Sequence, residues 1–188
     1  MRIGDVPGIT RDNHPMPPDS DTLGTGMTAW HNPTARERLE IITSTSSVAI
    51  VGMSADPSRA SHFVATYLLS SSCSFDQVWF VNPKGGEVLG RPVYPSLADL
   101  PGVPDLVDVF RNEADLPAVA AEVVAIPGTR VFWAQLGLNS PAAVDIVVNA
   151  GRIAVMDRCL KIEHARFRGG LHEAAFDTGD LRAAAPPL

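Results

Sequence analysis

The sequence predicts an open α/β domain, a mostly parallel, doubly wound sheet of five strands with helices on both faces. Three observations carry this expectation. Five short runs rich in Val, Ile or Phe recur at 48–51, 78–81, 106–110, 131–134 and 153–156. Each run is largely continuous rather than alternating, which is the pattern of a strand covered on both faces. Helical stretches at roughly 61–70, 116–125 and 141–149 separate most of the runs. Strand and helix alternating in this order imply parallel strands joined by right-handed crossovers.

The elements follow in order. Residues 1–30 are expected to form a disordered N-terminal extension: Pro7, Pro15, Pro17 and Pro18 are interspersed with Gly, Asp and Asn, with no apolar period. Such a stretch buries too little surface to offset its ordering entropy. Thr34 is placed to cap a short helix carrying Leu39, Ile41 and Ile42. The domain proper is expected over 31–175, and a flexible tail over 176–188, where Pro186 and Pro187 discourage regular structure. Pro117 and Pro141 stand in the first turns of the last two separating helices, where a missing N–H costs nothing. Between the second and third runs, the Gly- and Pro-rich segment 84–104 predicts an edge hairpin at 88–94 and one helical turn at 96–100. The whole is a Rossmann-like arrangement.

Composition narrows the function. With 188 residues, a net charge of −6 and 19% charged residues, the chain can bury one ordinary core and offers no basic face for nucleic acid. No apolar run reaches membrane-spanning length, and the first 30 residues lack the basic and then apolar pattern of a secretory leader. A cytoplasmic protein is the expectation. Cys73 and Cys159 are too few for a disulfide scaffold or structural zinc, and the histidines form no metal-binding pair.

In open α/β sheets, ligands bind beyond the carboxyl ends of the strands where strand order reverses. Five groups should therefore converge there: Gly52-Met53-Ser54, Asn82-Pro83-Lys84, Phe110-Arg111, Gln135-Leu136-Gly137 and Asp157-Arg158-Cys159. The first could be an ordinary strand-to-helix turn or a phosphate cradle. Gly52 permits the tight turn, and Ser54 and Arg59 precede a helix N-terminus that attracts anions. Only one glycine of a G-x-G-x-x-G pattern is present, because Ser54 and Pro57 occupy the other two positions. Lys84 stands where an NAD site would carry an acidic residue, so it favours a ribose bearing a phosphate, as in NADP or coenzyme A. Cys159 is either a buried inert thiol or one whose pKa Arg158 and Lys161 pull down. Phosphate-loop and nucleophile-elbow motifs are absent.

A resemblance rests on segments in a consistent order: Val48-Ala-Ile-Val-Gly-Met-Ser54, Val81-Asn-Pro-Lys-Gly-Gly86, Leu89-Gly-Arg-Pro-Val-Tyr-Pro-Ser-Leu97, Val107-Asp-Val-Phe-Arg111, Trp133-Ala-Gln-Leu-Gly137 and Val155-Met-Asp-Arg-Cys159 with Lys161-Ile-Glu-His164. From about 47 to 166 the chain resembles the small standalone CoA-binding proteins, whose domain is similar to that of the succinyl-CoA synthetase α subunit. The resemblance implies that Gly52, Met53 and Ser54 approach a pyrophosphate, with Arg59 as an added cation. It sets Asn82, Pro83 and Lys84 beside the adenosine and its 3′-phosphate. It makes Val109, Phe110 and Arg111 a wall and has Gln135 to Gly137 close the far side. Apart from the resemblance, the position of Cys159 past the fifth run makes it a candidate to meet the thiol end of the ligand, as a mixed disulfide. Asp56 and Leu160 depart from the family pattern, and Asp56 either caps its own turn or faces the phosphates. The expected function is CoA or acyl-CoA binding without catalysis. The alternative is an NADP-dependent oxidoreductase or an acyl-CoA-handling enzyme.

Overall fold

The computed structural model describes residues 30–70, 73 and 75–177. Almost all of the expected N-terminal extension, and the expected tail beyond 177, lie outside the described residues. Helix α1 (Ala35–Thr43) opens the domain, and Thr34 with Glu37 forms the capping box at its start. The parallel strands are β1 (Ser47–Val51), β2 (Gln77–Val81), β5 (Leu106–Val109), β6 (Val131–Ala134) and β7 (Ile153–Val155). Between them run α2 (Ala60–Leu68), α3 (Leu116–Ala125) and α4 (Pro141–Asn149), and α5 (Leu160–Asp177) closes the described chain.

The sheet has seven strands rather than the expected five, in the order β3-β4-β2-β1-β5-β6-β7. The two additional strands are the edge hairpin itself, β3 (Glu87–Val88) and β4 (Arg91–Tyr94). Leu89 and Gly90 both have positive φ, so the two-residue turn twists with its strands. The hairpin joins the main sheet because β4 pairs parallel to β2, Phe80 opposite Val93. A hairpin on its own would be marginal, and this pairing supplies the third strand it needs.

The two faces bury different partners. Ile41 and Ile42 of α1, Val64 and Leu68 of α2, and Leu160 of α5 pack with Val48, Ile50, Phe80 and Trp133. On the other face, Val119 and Val123 of α3 and Val144 and Val147 of α4 pack with Ala49, Val107, Val109 and Phe132. The doubly wound expectation holds. Strand order reverses between β1 and β5, so the crevice belongs at the carboxyl ends of those two strands.

Candidate functional site

At that reversal the backbone comes very close to itself. Gly52, just past β1, has φ +88°, and a Cβ there would lie 2.1 Å from the Phe110 carbonyl oxygen past β5. The N–H groups of Gly52 and Met53 both donate to the Val81 carbonyl at the end of β2. The Asn82 side chain locks the next turn: its amide donates to the Met53 carbonyl at 2.7 Å and its oxygen accepts the Lys84 N–H at 3.0 Å. The ends of β1, β2 and β5 are thus held as one floor, with Lys84 projecting from it.

A crevice of about 930 Å³ opens over this floor. Of the residues expected there, Gly52, Ser54, Arg59, Asn82, Lys84, Phe110, Arg111, Gln135 and Cys159 line it. Val109 is instead buried in the core on the α3 side, whereas Met53, buried against the α2 side, lines a smaller adjoining cavity. Gly137, off the crevice wall, gives its N–H to Asp157 Oδ1 at 2.7 Å, and Pro83 is likewise not on the crevice wall. A second cavity of about 320 Å³ continues between the first loop and the hairpin and shares Ser54, Asn82 and Lys84 with the first.

The two ends of the large crevice differ in chemistry. One end carries Ser54, Arg59, Asn82 and Lys84, next to the N-terminus of α2 at Ala60 and Ser61. Ser54 is already engaged, since its N–H donates to Ser61 Oγ and its hydroxyl accepts the Asp56 N–H. Asp56 caps its own turn: Oδ1 accepts the Ser58 N–H and hydroxyl, and these bonds hold its pKa below the usual carboxylate value. Arg111 is tied to Asp115 at 3.1 Å. The other end carries Phe63, Leu136, Leu138, Cys159 and Ile162.

Of the two readings of Cys159, its surroundings favour the buried thiol. Burial raises its thiol pKa above the ordinary value, and the nearby Asp108 carboxyl adds to this. Backbone N–H bonds from Ile162 and Lys161, together with the Lys161 charge, pull the other way without prevailing. The thiol sits at the start of α5 as an N-cap, and removal from water outweighs its cationic neighbours.

Asp108 itself was not marked as a site residue. It is fully buried in β5; Oδ1 accepts the Gln135 amide at 2.6 Å, and Oδ2 has no partner. Burial drives its pKa up to about 8, with the Gln135 bond opposing. A single acidic residue within an apolar run was the available signal. Phe63 is not legible as a site residue because an apolar residue in a helical stretch reads as core, and Ile162 because the helix that carries it is not legible either. His164, by contrast, is buried between Tyr67 and Phe75, away from the crevice walls.

The model of a family described as the CoA binding domain matches residues 46–165. The chain belongs to that family. The uncharacterized protein YneT of Bacillus subtilis is 37% identical over 134 residues, covering 71% of this chain and 96% of YneT. Among solved structures, Prb, a protein redesigned for binding, aligns with TM-score 0.68 and 36% identity, over 73% of this chain and 94% of Prb. A Thermus thermophilus protein aligns with TM-score 0.65 and 33% identity, over 71% and 98% of the respective chains. The family match begins beside β1 and ends within α5, so it takes in every strand and all the crevice walls. Among the described residues no helix is long and apolar enough to cross a membrane, and no cluster of His, Cys, Asp or Glu is arranged to hold a metal.

Proposed function

We propose that this CoA-binding domain protein holds coenzyme A in the crevice beyond β1 and β5, as a binding protein rather than a catalyst. The observation that carries the reading is the cradle at Gly52, where the backbone approaches Phe110 so closely that only a residue without Cβ fits. A half-buried floor that carries Gly52 beside a helix N-terminus suits a pyrophosphate. Lys84 and Arg59 supply positive charge around it, and the smaller cavity beside Lys84 offers room for the adenosine end. The pantetheine arm then runs toward the apolar end at Cys159. A thiol whose pKa is raised by burial is a poor nucleophile at neutral pH, which favours holding the ligand over reacting with it.

Calorimetric titration with CoA, 3′-dephospho-CoA and NADP tests the assignment. CoA is expected to bind, with removal of the 3′-phosphate or the Lys84→Ala substitution each weakening it by about 1.5–3 kcal/mol, the scale of a charge-assisted hydrogen bond. The two losses should not add, because they remove the same contact. Binding of NADP without binding of CoA would overturn the reading and turn attention to oxidoreductase chemistry.

A further inference from the structure

The apolar end of the crevice is more than the pantetheine arm of free CoA requires. Phe63 from α2, Leu136 from the loop after β6 and Ile162 from α5 line the same crevice, yet they are 60%, 57% and 52% exposed. Scattered apolar side chains on a surface need no explanation, but three from separate elements facing one cavity form a patch that water should not keep. Lys161 lies with Nζ 4.3 Å from the Phe63 ring centroid, so its cation rests on the aromatic face at the rim.

Below this rim is the polar group that the binding of a nucleotide does not use. Gln135 lines the crevice, and its amide donates to Asp108 Oδ1 at 2.6 Å. Among the described residues that is its side chain's only hydrogen bond. Asp108 fixes the amide from behind, leaving the second Nε2 hydrogen for a ligand acceptor. Oδ2 has no partner among the described residues, so the one hydrogen bond of this buried carboxyl goes to Gln135. A thiol offers the amide a weak acceptor, whereas a thioester carbonyl offers a strong one.

We infer that the preferred ligand is an acyl-CoA, its thioester carbonyl meeting Gln135 and its acyl chain covering Phe63, Leu136 and Ile162. The inference rests on the proposed CoA site and adds the acyl group to it. Asp108 is a positioning residue in this arrangement: it touches Gln135 and not the ligand.

The test is titration of the full chain with CoA, acetyl-, butyryl- and hexanoyl-CoA, and with hexyl-CoA, a thioether lacking the carbonyl. Affinity should rise with chain length, by up to about fourfold per methylene buried. Hexanoyl-CoA should bind about tenfold or more tightly than hexyl-CoA, as for a hydrogen bond of roughly 1.4 kcal/mol. The surface variants Phe63→Ala and Leu136→Ala should flatten the chain-length series, weakening hexanoyl-CoA by more than they weaken CoA. Asp108→Asn, which still accepts from Gln135, should preserve the preference for the carbonyl, and Asp108→Leu should lose it. Equal affinity for CoA and hexanoyl-CoA overturns the inference while leaving the CoA site intact; absence of binding by every CoA species overturns both. A dimer in sedimentation that Leu136→Ala dissociates, with a flat chain-length series, would assign the rim to a second copy of the chain and overturn the inference as well.

Discussion

Gly52 combines two constraints that usually occur apart. Its φ of +88° lies in the region L side chains avoid, and a Cβ would meet the Phe110 carbonyl oxygen at 2.1 Å. The two nearest atoms, the Phe110 carbonyl oxygen and carbon, are backbone and cannot swing aside as a side chain could. Gly52→Ala is therefore expected to cost about 1–3 kcal/mol in strain and to push the ends of β1 and β5 apart. Urea unfolding should show a lowered midpoint, and CoA titration should show weakened binding; an unchanged midpoint would contradict the packing described. This residue was legible in the sequence because a glycine directly after an apolar run has few other uses. Lys84 was legible for the opposite reason, as a cation where a carboxylate is customary. Asp108 was not legible as part of the site, since strand periodicity says which face a residue takes and not whether its charge survives there. Its raised pKa depends on total burial, a tertiary fact. Cys159 stays between two readings in the sequence on the same ground: neighbours such as Arg158 and Lys161 are visible in a string, and desolvation is not.

At the scale of elements, α1 and α5 are joined by a buried ion pair. Arg38 Nε donates to Glu163 Oε2 at 2.9 Å, with both side chains under one-tenth exposed, and the guanidinium also donates to the Pro33 carbonyl. Removing one partner leaves an uncompensated buried charge, so Glu163→Ala should destabilise the fold by about 3–5 kcal/mol. Replacing both, as Arg38→Met with Glu163→Leu, should restore most of that loss, since apolar pairs of similar volume are often neutral or better. Denaturant midpoints of the single and double variants check this, and a double variant less stable than the single would refute it. The pair was invisible in the sequence because its members are 125 residues apart. Helices were read better: α3 and α4 begin and end where Pro117 and Pro141 and the strand spacing set them. Helix α5 was not read as a helix, because Cys159 replaces the usual oxygen-bearing cap and Gly169 and Gly170 interrupt its pattern. The edge strand β7 shows another device hidden from the sequence. The Asn32 side chain pairs with the residue just past it as a short backbone segment would, donating to the Met156 carbonyl and accepting its N–H at 2.7 and 3.0 Å. That satisfies part of an edge otherwise open to pairing with another chain.

For the whole molecule, the topology followed from the alternation of strands and helices, while the order β3-β4-β2-β1-β5-β6-β7 required knowing that the hairpin would attach beside β2. That order places β5 inside the sheet, between β1 and β6, and with it a carboxyl whose burial favours the neutral form. The consequence is a stability that depends on pH. Asp108 passes from an ordinary value of 3.8 when unfolded to about 8 when folded, so the native state holds a proton that the unfolded chain releases. Its contribution is fully present below the unfolded value and is lost as pH rises through the window up to the folded value, by as much as about 1.4 kcal/mol per pH unit. Other groups act elsewhere. Glu37 and Asp56, both lowered by bonds from their own turns, lose their contribution only as pH falls through the carboxylate range. His164, lowered by burial, opposes the trend below its ordinary 6.5, and Cys159, raised by burial, acts only above 9.0. Between pH 6.5 and about 8 the Asp108 slope should therefore stand clear. Unfolding free energies measured across that window should fall for the unaltered chain and stay nearly flat for Asp108→Asn, whose amide carries no proton to release. The two curves should diverge toward low pH, with the unaltered chain gaining relative to the variant. Parallel curves would mean that the carboxyl is charged within the sheet, and that some group not described in the structure compensates it.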